Sequence, residues 1–212
     1  MPNWCNNNIT ISGDEGTIRT LTAVLKSIKT SDEEQSNNVF QSLIGLPQHM
    51  SDGDYKEKWY DTNIEWFGTK WDISYSEDMF TFTKGEISFF CETAWSPPIP
   101  FLQNLCEMYK VNANLFYSEG GVGFSGESTF NWVDGELEVY DDECGYLEGI
   151  YKYSRDEFWS EVESRVDCIL DEEQTLEDFI SEFDFVSEED KEELTRLYNE
   201  TIKENDEESE GE

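Results

Sequence analysis

The chain reads as an α+β protein, an antiparallel sheet carrying two helices and followed by an acidic helical region. Three observations predict this. Apolar–polar alternation marks strands in the first part, and apolar residues at helical spacing interrupt them twice. After residue 150 the strand signals give way to capped amphipathic helices.

Residues 8–12, Asn8-Ile9-Thr10-Ile11-Ser12, alternate and stop at Gly13-Asp14, which sets the first strand. Ile18, Leu21, Val24, Leu25 and Ile28 recur at helical spacing and predict the first helix. Residues 30–38 are polar and read as a loop, 40–46 as a short apolar segment closed by Pro47, and 48–61 as a polar insertion with scattered aromatics. Three strands are expected at 71–75, 79–83 and 86–93, the last two joined by a tight turn at Lys84-Gly85. Pro97, Pro98 and Pro100 precede Phe101, Leu102, Leu105, Cys106 and Tyr109, a second helix with proline at its start. Strands at 111–117 and 122–132 complete the sheet. Strand, helix, strands, helix, strand is the order of a split βαβ, ferredoxin-like sheet.

Four separated segments of this part occur in a telling order. They are Met1-Pro2-Asn3-Trp4-Cys5-Asn6-Asn7, Trp66-Phe67-Gly68-Thr69-Lys70-Trp71-Asp72, Thr93-Ala94-Trp95-Ser96-Pro97-Pro98, and Tyr117 through Gly120-Gly121 to Phe124-Ser125-Gly126. On these residues the chain resembles the YubB-like ferredoxin-fold proteins carried by phages and plasmids, over about residues 1–150. The resemblance implies a ferredoxin-like domain and a mobile-element origin, and brings no catalytic residue with it. Trp4, Trp66, Trp71 and Trp95 are accordingly expected in the core of that fold.

The domains expected are 1–150 for the ferredoxin-like part, 151–204 for an acidic helical region and 205–212 for an unstructured acidic tail. Ser154 and Glu157 form the pattern of a capping box, and Phe158, Val162, Val166 and Ile169 make the apolar stripe of the helix that follows. Asp156, Glu157, Glu161, Glu163 and Asp167 fall away from that stripe. Thr175 and Ser187 cap two more helices, carrying Leu176, Phe179 and Ile180, then Leu194, Leu197, Tyr198 and Ile202. Between sheet and helices, residues 135–140 alternate Glu136 and Glu138 with Leu137 and Val139, which predicts a strand with one acidic face.

Charge is the feature that bears on function. The 212 residues hold 49 acidic and 14 basic side chains, a formal net charge of -35. Residues 1–130 carry 18 acids and 8 bases, and residues 131–212 carry 31 and 6. Self-repulsion on this scale destabilises a compact state, and solubility alone needs a net charge of only about 2–8. The excess equals the phosphate charge of roughly 17 base pairs of duplex. Lysine outnumbers arginine ten to four, against a halophilic origin. The 37% hydrophobic and 15% aromatic content argues against disorder throughout.

Chemistry is sparse. The one histidine, His49, lies in a polar stretch and reads as a surface residue rather than a catalytic one. No nucleophile elbow, P-loop or dinucleotide fingerprint is present. Ser118-Glu119-Gly120-Gly121-Val122-Gly123 links two strands, so a hairpin is expected there and not a phosphate cradle. The five cysteines, Cys5, Cys91, Cys106, Cys144 and Cys168, are scattered, without zinc spacing, and read as reduced thiols of a cytoplasmic protein. Residues 134–148 are rich in carboxylates but lack the central glycine of a calcium loop. No metal, cofactor or catalytic residue is expected, nor a membrane span or signal peptide.

Two readings of function follow. In the first, the acidic surface imitates nucleic acid and occupies the DNA- or RNA-binding groove of a basic host protein, a defence nuclease of restriction or CRISPR type. The charge itself opposes direct nucleic-acid binding. The residues expected to meet the partner are Glu136, Glu138, Asp141, Asp142 and Glu143, with Asp156, Glu157, Glu161, Glu163 and Asp167. In the second, the protein is a regulatory or assembly adaptor that binds through an aromatic, apolar surface, its charge serving solubility.

Overall fold

A computed structural model describes residues 3–28, 38–169 and 175–209, with the backbone alone at 165, 167–169 and 204–209. The chain divides into two compact units, residues 1–144 and 145–212.

The first unit is built on a six-stranded antiparallel sheet of order β2-β3-β1-β4-β5-β6. Its strands are β1 (Trp4–Ser12), β2 (Phe80–Phe82), β3 (Glu86–Ala94), β4 (Asn112–Glu119), β5 (Phe124–Val133) and β6 (Glu136–Gly145). The first four have the ferredoxin-like arrangement expected, each half a βαβ unit with a strand of the other half inserted between. β1 lies at the centre, pairing Ile9 with Phe89 of β3 on one side and with Leu115 of β4 on the other. Cys5, Asn7, Ile9 and Ile11 of β1 are buried, and Trp4, Asn6, Asn8, Thr10 and Ser12 face the opposite way, as period two requires.

Two helices supply the rest of the core. α1 (Glu15–Ser27) is capped by the Asp14 carboxylate, which accepts from the N–H groups of Gly16 and Thr17, and it buries Ile18, Leu21 and Leu25. α4 (Ile99–Tyr109) starts at the prolines and buries Phe101, Leu102, Leu105 and Cys106. The Asn7 amide, fully buried, donates to Cys91 O (3.2 Å) and Thr93 Oγ1 (2.9 Å) and so ties β1 to β3.

Several expectations are corrected. The apolar segment at 40–46 is helical, as α2 (Val39–Ile44), and the polar insertion at 48–61 folds into α3 (Asp52–Phe67), started by a Ser51–Asp54 capping box. Residues 71–75 form no strand beyond a single bridge from Ser74 to Asn38. There the Asp72 carboxylate turns back to accept from its neighbour Ile73 N (2.7 Å), a local bond that competes with ladder pairing. The strand expected at 79–83 shortens to β2, behind a single 3-10 turn at Glu77–Met79.

The expectation that the tryptophans lie in the core is overturned for three of the four. Trp4, Trp71 and Trp95 are 47%, 39% and 42% exposed. Only Trp66 packs partly against the core, with its Nε1 donated to Gly45 O (3.0 Å). The glycine-rich link after β4 is a hairpin turn. The buried Glu119 carboxylate accepts from Gly121 N (2.9 Å) and Val122 N (2.6 Å), filling with its own charge the amides a phosphate would need.

The second unit is helical: α5 (Tyr146–Tyr153), α6 (Arg155–Ile169), α7 (Leu176–Ser181) and α8 (Glu188–Ser209). Phe158, Val162 and Val166 are buried with Ile150, Phe179, Phe183, Val186, Leu194 and Tyr198 in a core of their own. Thr175 caps α7 through Asp178 N, and Ser187 accepts from Asp190 N (3.2 Å) at the start of α8. Ser154 stands just ahead of α6, and Glu157 in its first turn accepts from the Tyr146 hydroxyl (3.3 Å). α8 runs to Ser209, through most of the stretch expected to be an unstructured tail, and 210–212 lie outside the described residues. Ile169, expected on the stripe of α6, and Cys168 fall among residues whose side chains are not described.

Candidate partner-binding surfaces

β6 ends the sheet, so its outer edge has no partner strand in this unit. Glu136, Glu138, Asp141, Asp142 and Glu143 are all exposed on it, but they do not share one face. Leu137 packs against the core, and Asp141 accepts from the Tyr117 hydroxyl (3.1 Å) and Ser128 Oγ (2.6 Å), which places 137, 141 and 143 on the helix-bearing side. Cys144 meets Ser125 on the other side (3.6 Å), so Glu136, Glu138 and Asp142 share that face. Among the described residues no basic side chain pairs with Glu136, Glu138, Asp142 or Glu143. Asp141 is anchored, and with burial it drives the phenol of Tyr117 well above its ordinary range.

On α6, Asp156, Glu157 and Glu163 are exposed and Glu161 is half-buried, opposite the stripe of Phe158, Val162 and Val166. The side chain of Asp167 lies outside the described residues. Three cations of this unit pair locally: Arg155 with Asp190 (2.6 Å), Lys191 with Glu188 (3.0 Å), and Arg196 with Glu193 and with Glu200 (2.8 Å).

A second surface is formed by aromatic residues that the sequence reading placed in the core. Trp71 stands between Trp4 and Trp95, with ring centroids 6.1 Å and 6.5 Å away. Lys70 lays its ammonium 4.5 Å from the Trp71 ring and 4.8 Å from that of Trp95. The loop that presents them is pinned. Thr69 Oγ1 accepts from Ala94 N (3.0 Å) and donates to Ala94 O (3.2 Å), Asn63 donates to Lys70 O (2.9 Å), and Trp95 N donates to Asn3 O (3.0 Å). Trp95 itself holds φ at +72°, a left-handed conformation that is strained for a bulky side chain.

Two pockets open beside Trp71. One, of about 300 Å³, is lined by Trp4, Trp71, Asp72, Met79, Glu92 and Ala94 among others. The other, of about 420 Å³, is lined by Tyr55, Lys56, Trp59, Asn63, Trp71 and Asp72 among others. Asp72 thus lines both. Its carboxylate accepts from Phe40 N and Gln41 N (2.8 Å each), and burial pushes its acid form up to about 6. A charged run around an aromatic, Lys70-Trp71-Asp72, was the sequence signal that this tryptophan faces water.

The buried thiols of Cys5 and Cys106 are pushed up to about 12 by burial, which makes them poor nucleophiles. No cluster of metal-ligating side chains occurs among the described residues, and no helix among them is long and apolar enough to cross a membrane.

Residues 70–199 match the family model described as the ferredoxin-like domain in Api92-like protein. The chain belongs to this family. The match to the Api92-like domain begins in the pinned loop at Lys70 and runs through β6 into the helical unit as far as Asn199. The helices after residue 150 therefore fall within the family's range, whereas the resemblance read from the sequence left them outside it. The crystal structure of a protein api92 from Yersinia pseudotuberculosis is similar at a TM-score of 0.37 and 9% identity, over 69% of this chain and 98% of that one. No curated protein matches the chain.

Proposed function

We propose that this Api92-like protein blocks the nucleic-acid-binding groove of a basic partner, its carboxylates standing where phosphates would. The target expected is a host defence nuclease, and the origin a phage or plasmid of the YubB-like kind. One observation carries the reading: Glu136, Glu138 and Asp142 stand exposed on one face of an edge strand with no basic partner among the described residues. Same-face positions on a strand repeat about every 6.8 Å, twice the roughly 3.4 Å step between phosphates of one DNA strand. Arginines and lysines spaced to grip phosphates would meet carboxylates at Glu136 and Glu138 and again at Asp142, two such repeats further on, with Tyr140 at the position between. The action is occupancy without turnover, hastened by long-range attraction.

Acids on an edge strand also prevent edge-to-edge pairing, so the test separates the two roles. The variant Glu136→Gln/Glu138→Gln/Asp142→Asn/Glu143→Gln spares the anchored Asp141. Protein and variant are immobilised and exposed to bacterial lysate cleared of nucleic acid. The expected result is capture of nucleic-acid-binding proteins by the parent alone, with release by added duplex DNA or raised salt. Capture that ignores both, or a variant that binds equally well and only self-associates, overturns the reading.

The adaptor reading is favoured by one observation of its own, the exposed cluster of Trp4 at the start of β1, Trp71 in the pinned loop after α3 and Trp95 just after β3. Partners that stay bound at high salt and are lost on Trp71→Ala would establish it.

A further inference from the structure

We propose that the pocket walled by Trp4 and Trp71 receives the guanidinium of an arginine presented by a basic protein partner. The inference shares the basic partner of the reading above but none of its β6 carboxylates, so either stands if the other fails.

Four observations converge on that occupant. Trp4 and Trp71 line the pocket and are both exposed, and the faces of tryptophan rings attract cations, arginine most often. The same cluster already holds one cation: Lys70 sits over Trp71 and Trp95. The remaining charges are negative. Glu92 is exposed, directly opposite Asn6 in the β1–β3 register, and has no basic partner among the described residues. Asp72 has both oxygens engaged by Phe40, Gln41 and Ile73, so it contributes a fixed negative field rather than a flexible ligand.

Shape favours a single side chain. About 300 Å³ is the low end for a ligand site, too small for a folded element and ample for one arginine. A planar guanidinium can lie against indole while its edge donates to the Glu92 carboxylate, a pairing a lysine ammonium makes less well. The pinned backbone around Thr69, Ala94 and Trp95 means that little order is lost on binding. An anionic ligand would face two carboxylates on the pocket lining, Asp72 and Glu92, against the single ammonium of Lys70 beside Trp71.

The test uses the full chain labelled with fluorotryptophan, its signals assigned by single Trp→Phe replacements. It is titrated with acetyl-Gly-Arg-Gly-amide and with the citrulline peptide, of the same shape without the charge, followed by fluorine NMR. Near physiological salt, where screening acts beyond about 8 Å, general attraction to an acidic protein is weak. Saturable shifts confined to Trp4, Trp71 and Trp95 are expected, with the citrulline peptide about tenfold weaker. Glu92→Gln, at an exposed position, should weaken the arginine peptide about fivefold, while the β6 quadruple variant leaves it unchanged. Equal affinity for citrulline, shifts spread over the remaining tryptophans, or indifference to Glu92→Gln overturns the proposal. So does tighter binding of acetyl-Gly-Leu-Gly-amide, which would make the pocket an apolar dock.

Discussion

A side chain on Gly68 would collide with Pro100: a Cβ built there lies 2.4 Å from the proline Cδ. Gly68 ends α3 in the left-handed conformation, φ +84°, and its N–H closes the helix on Asn63 and Ile64. Its carbonyl accepts from Ser96 Oγ (2.6 Å), which joins the tryptophan loop to the start of α4. Gly68→Ala therefore meets both a backbone penalty of about 1–2 kcal/mol and overpacking of about 1–3 kcal/mol. A loss of about 3 kcal/mol in urea unfolding is expected, with red-shifted tryptophan emission as the loop loosens. A variant as stable as the parent would mean that α4 can shift, and that the tryptophans are not rigidly presented.

Trp95 makes the opposite prediction. Its positive φ costs about 1–2 kcal/mol, and its exposed ring gains in return chiefly the Lys70 contact, about 0.5–1 kcal/mol. Asparagine tolerates the left-handed region. Trp95→Asn should leave stability unchanged or raise it by up to about 1 kcal/mol, measured by urea titration, while weakening partner binding. If stability instead falls by more than about 1 kcal/mol, the ring is a packing residue and the strain has a structural purpose.

These two residues also show what the sequence makes legible and what it hides. β1, α1 and α4 follow from periodicity, because each has one buried face: Ile9 and Ile11, Ile18 with Leu21 and Leu25, Phe101 with Leu102 and Leu105. α6 follows for the same reason, through Phe158, Val162 and Val166. α3 escapes periodicity because it buries only Thr62, Asn63 and Phe67 while exposing Trp59, Tyr60 and Ile64. Its start at Ser51 and Asp54 was the signal available. The exposed tryptophans escape because hydrophobicity argues for burial, and long-range bonds that the sequence does not show, such as those of Thr69 to Ala94 and of Asp72 to Phe40 and Gln41, hold their backbone so that the rings face water. The acids of β6 were legible as exposed, but the division into two faces was not, since Asp141 is turned inward by a tyrosine 24 residues earlier in the chain.

In the helical unit, Asp190 is the carboxylate on which stability depends. It is buried and accepts from Tyr151 and Ser187 (2.7 Å) while pairing with Arg155, so it joins α5, α6 and α8. Burial raises its acid form, but the hydrogen bonds from Tyr151 and Ser187 and the Arg155 charge outweigh that and hold it below the ordinary 3.8. Its contribution is present above that range and is lost as pH falls through the lowered value. Asp190→Ala leaves Tyr151 and Arg155 without their acceptor and should cost about 2 kcal/mol, less than a fully buried pair because Arg155 is half exposed. Hydrogen exchange should quicken in α5 to α8 and stay unchanged in β1 to β5. Equal quickening in the sheet would show that the two units unfold as one.

Asp72 titrates in the opposite sense, and it does so inside the candidate site. Burial lifts its carboxyl to about 6 from 3.8, more than the backbone N–H groups of Gln41, Phe40, Ile73 and Val39 lower it. The folded chain then holds this proton more tightly than the unfolded one, so stability falls as pH rises from about 4 to about 6 and levels off above. A shift of about two units corresponds to about 3 kcal/mol at most. General charge repulsion in a chain of net -35 also weakens the fold as pH rises, so the parent curve alone does not isolate this group. Asp72→Asn does, because it keeps the shape, removes the titration and changes the net charge by one. The parent should gain about 2–3 kcal/mol on the variant between pH 7 and pH 4, read from urea unfolding at each pH. Parallel curves would mean that Asp72 stays ionised and solvated in the folded state. The same proton should govern the pocket: the arginine peptide should bind the parent more tightly as pH rises through about 6, when Asp72 gains its charge, and this dependence should vanish in Asp72→Asn.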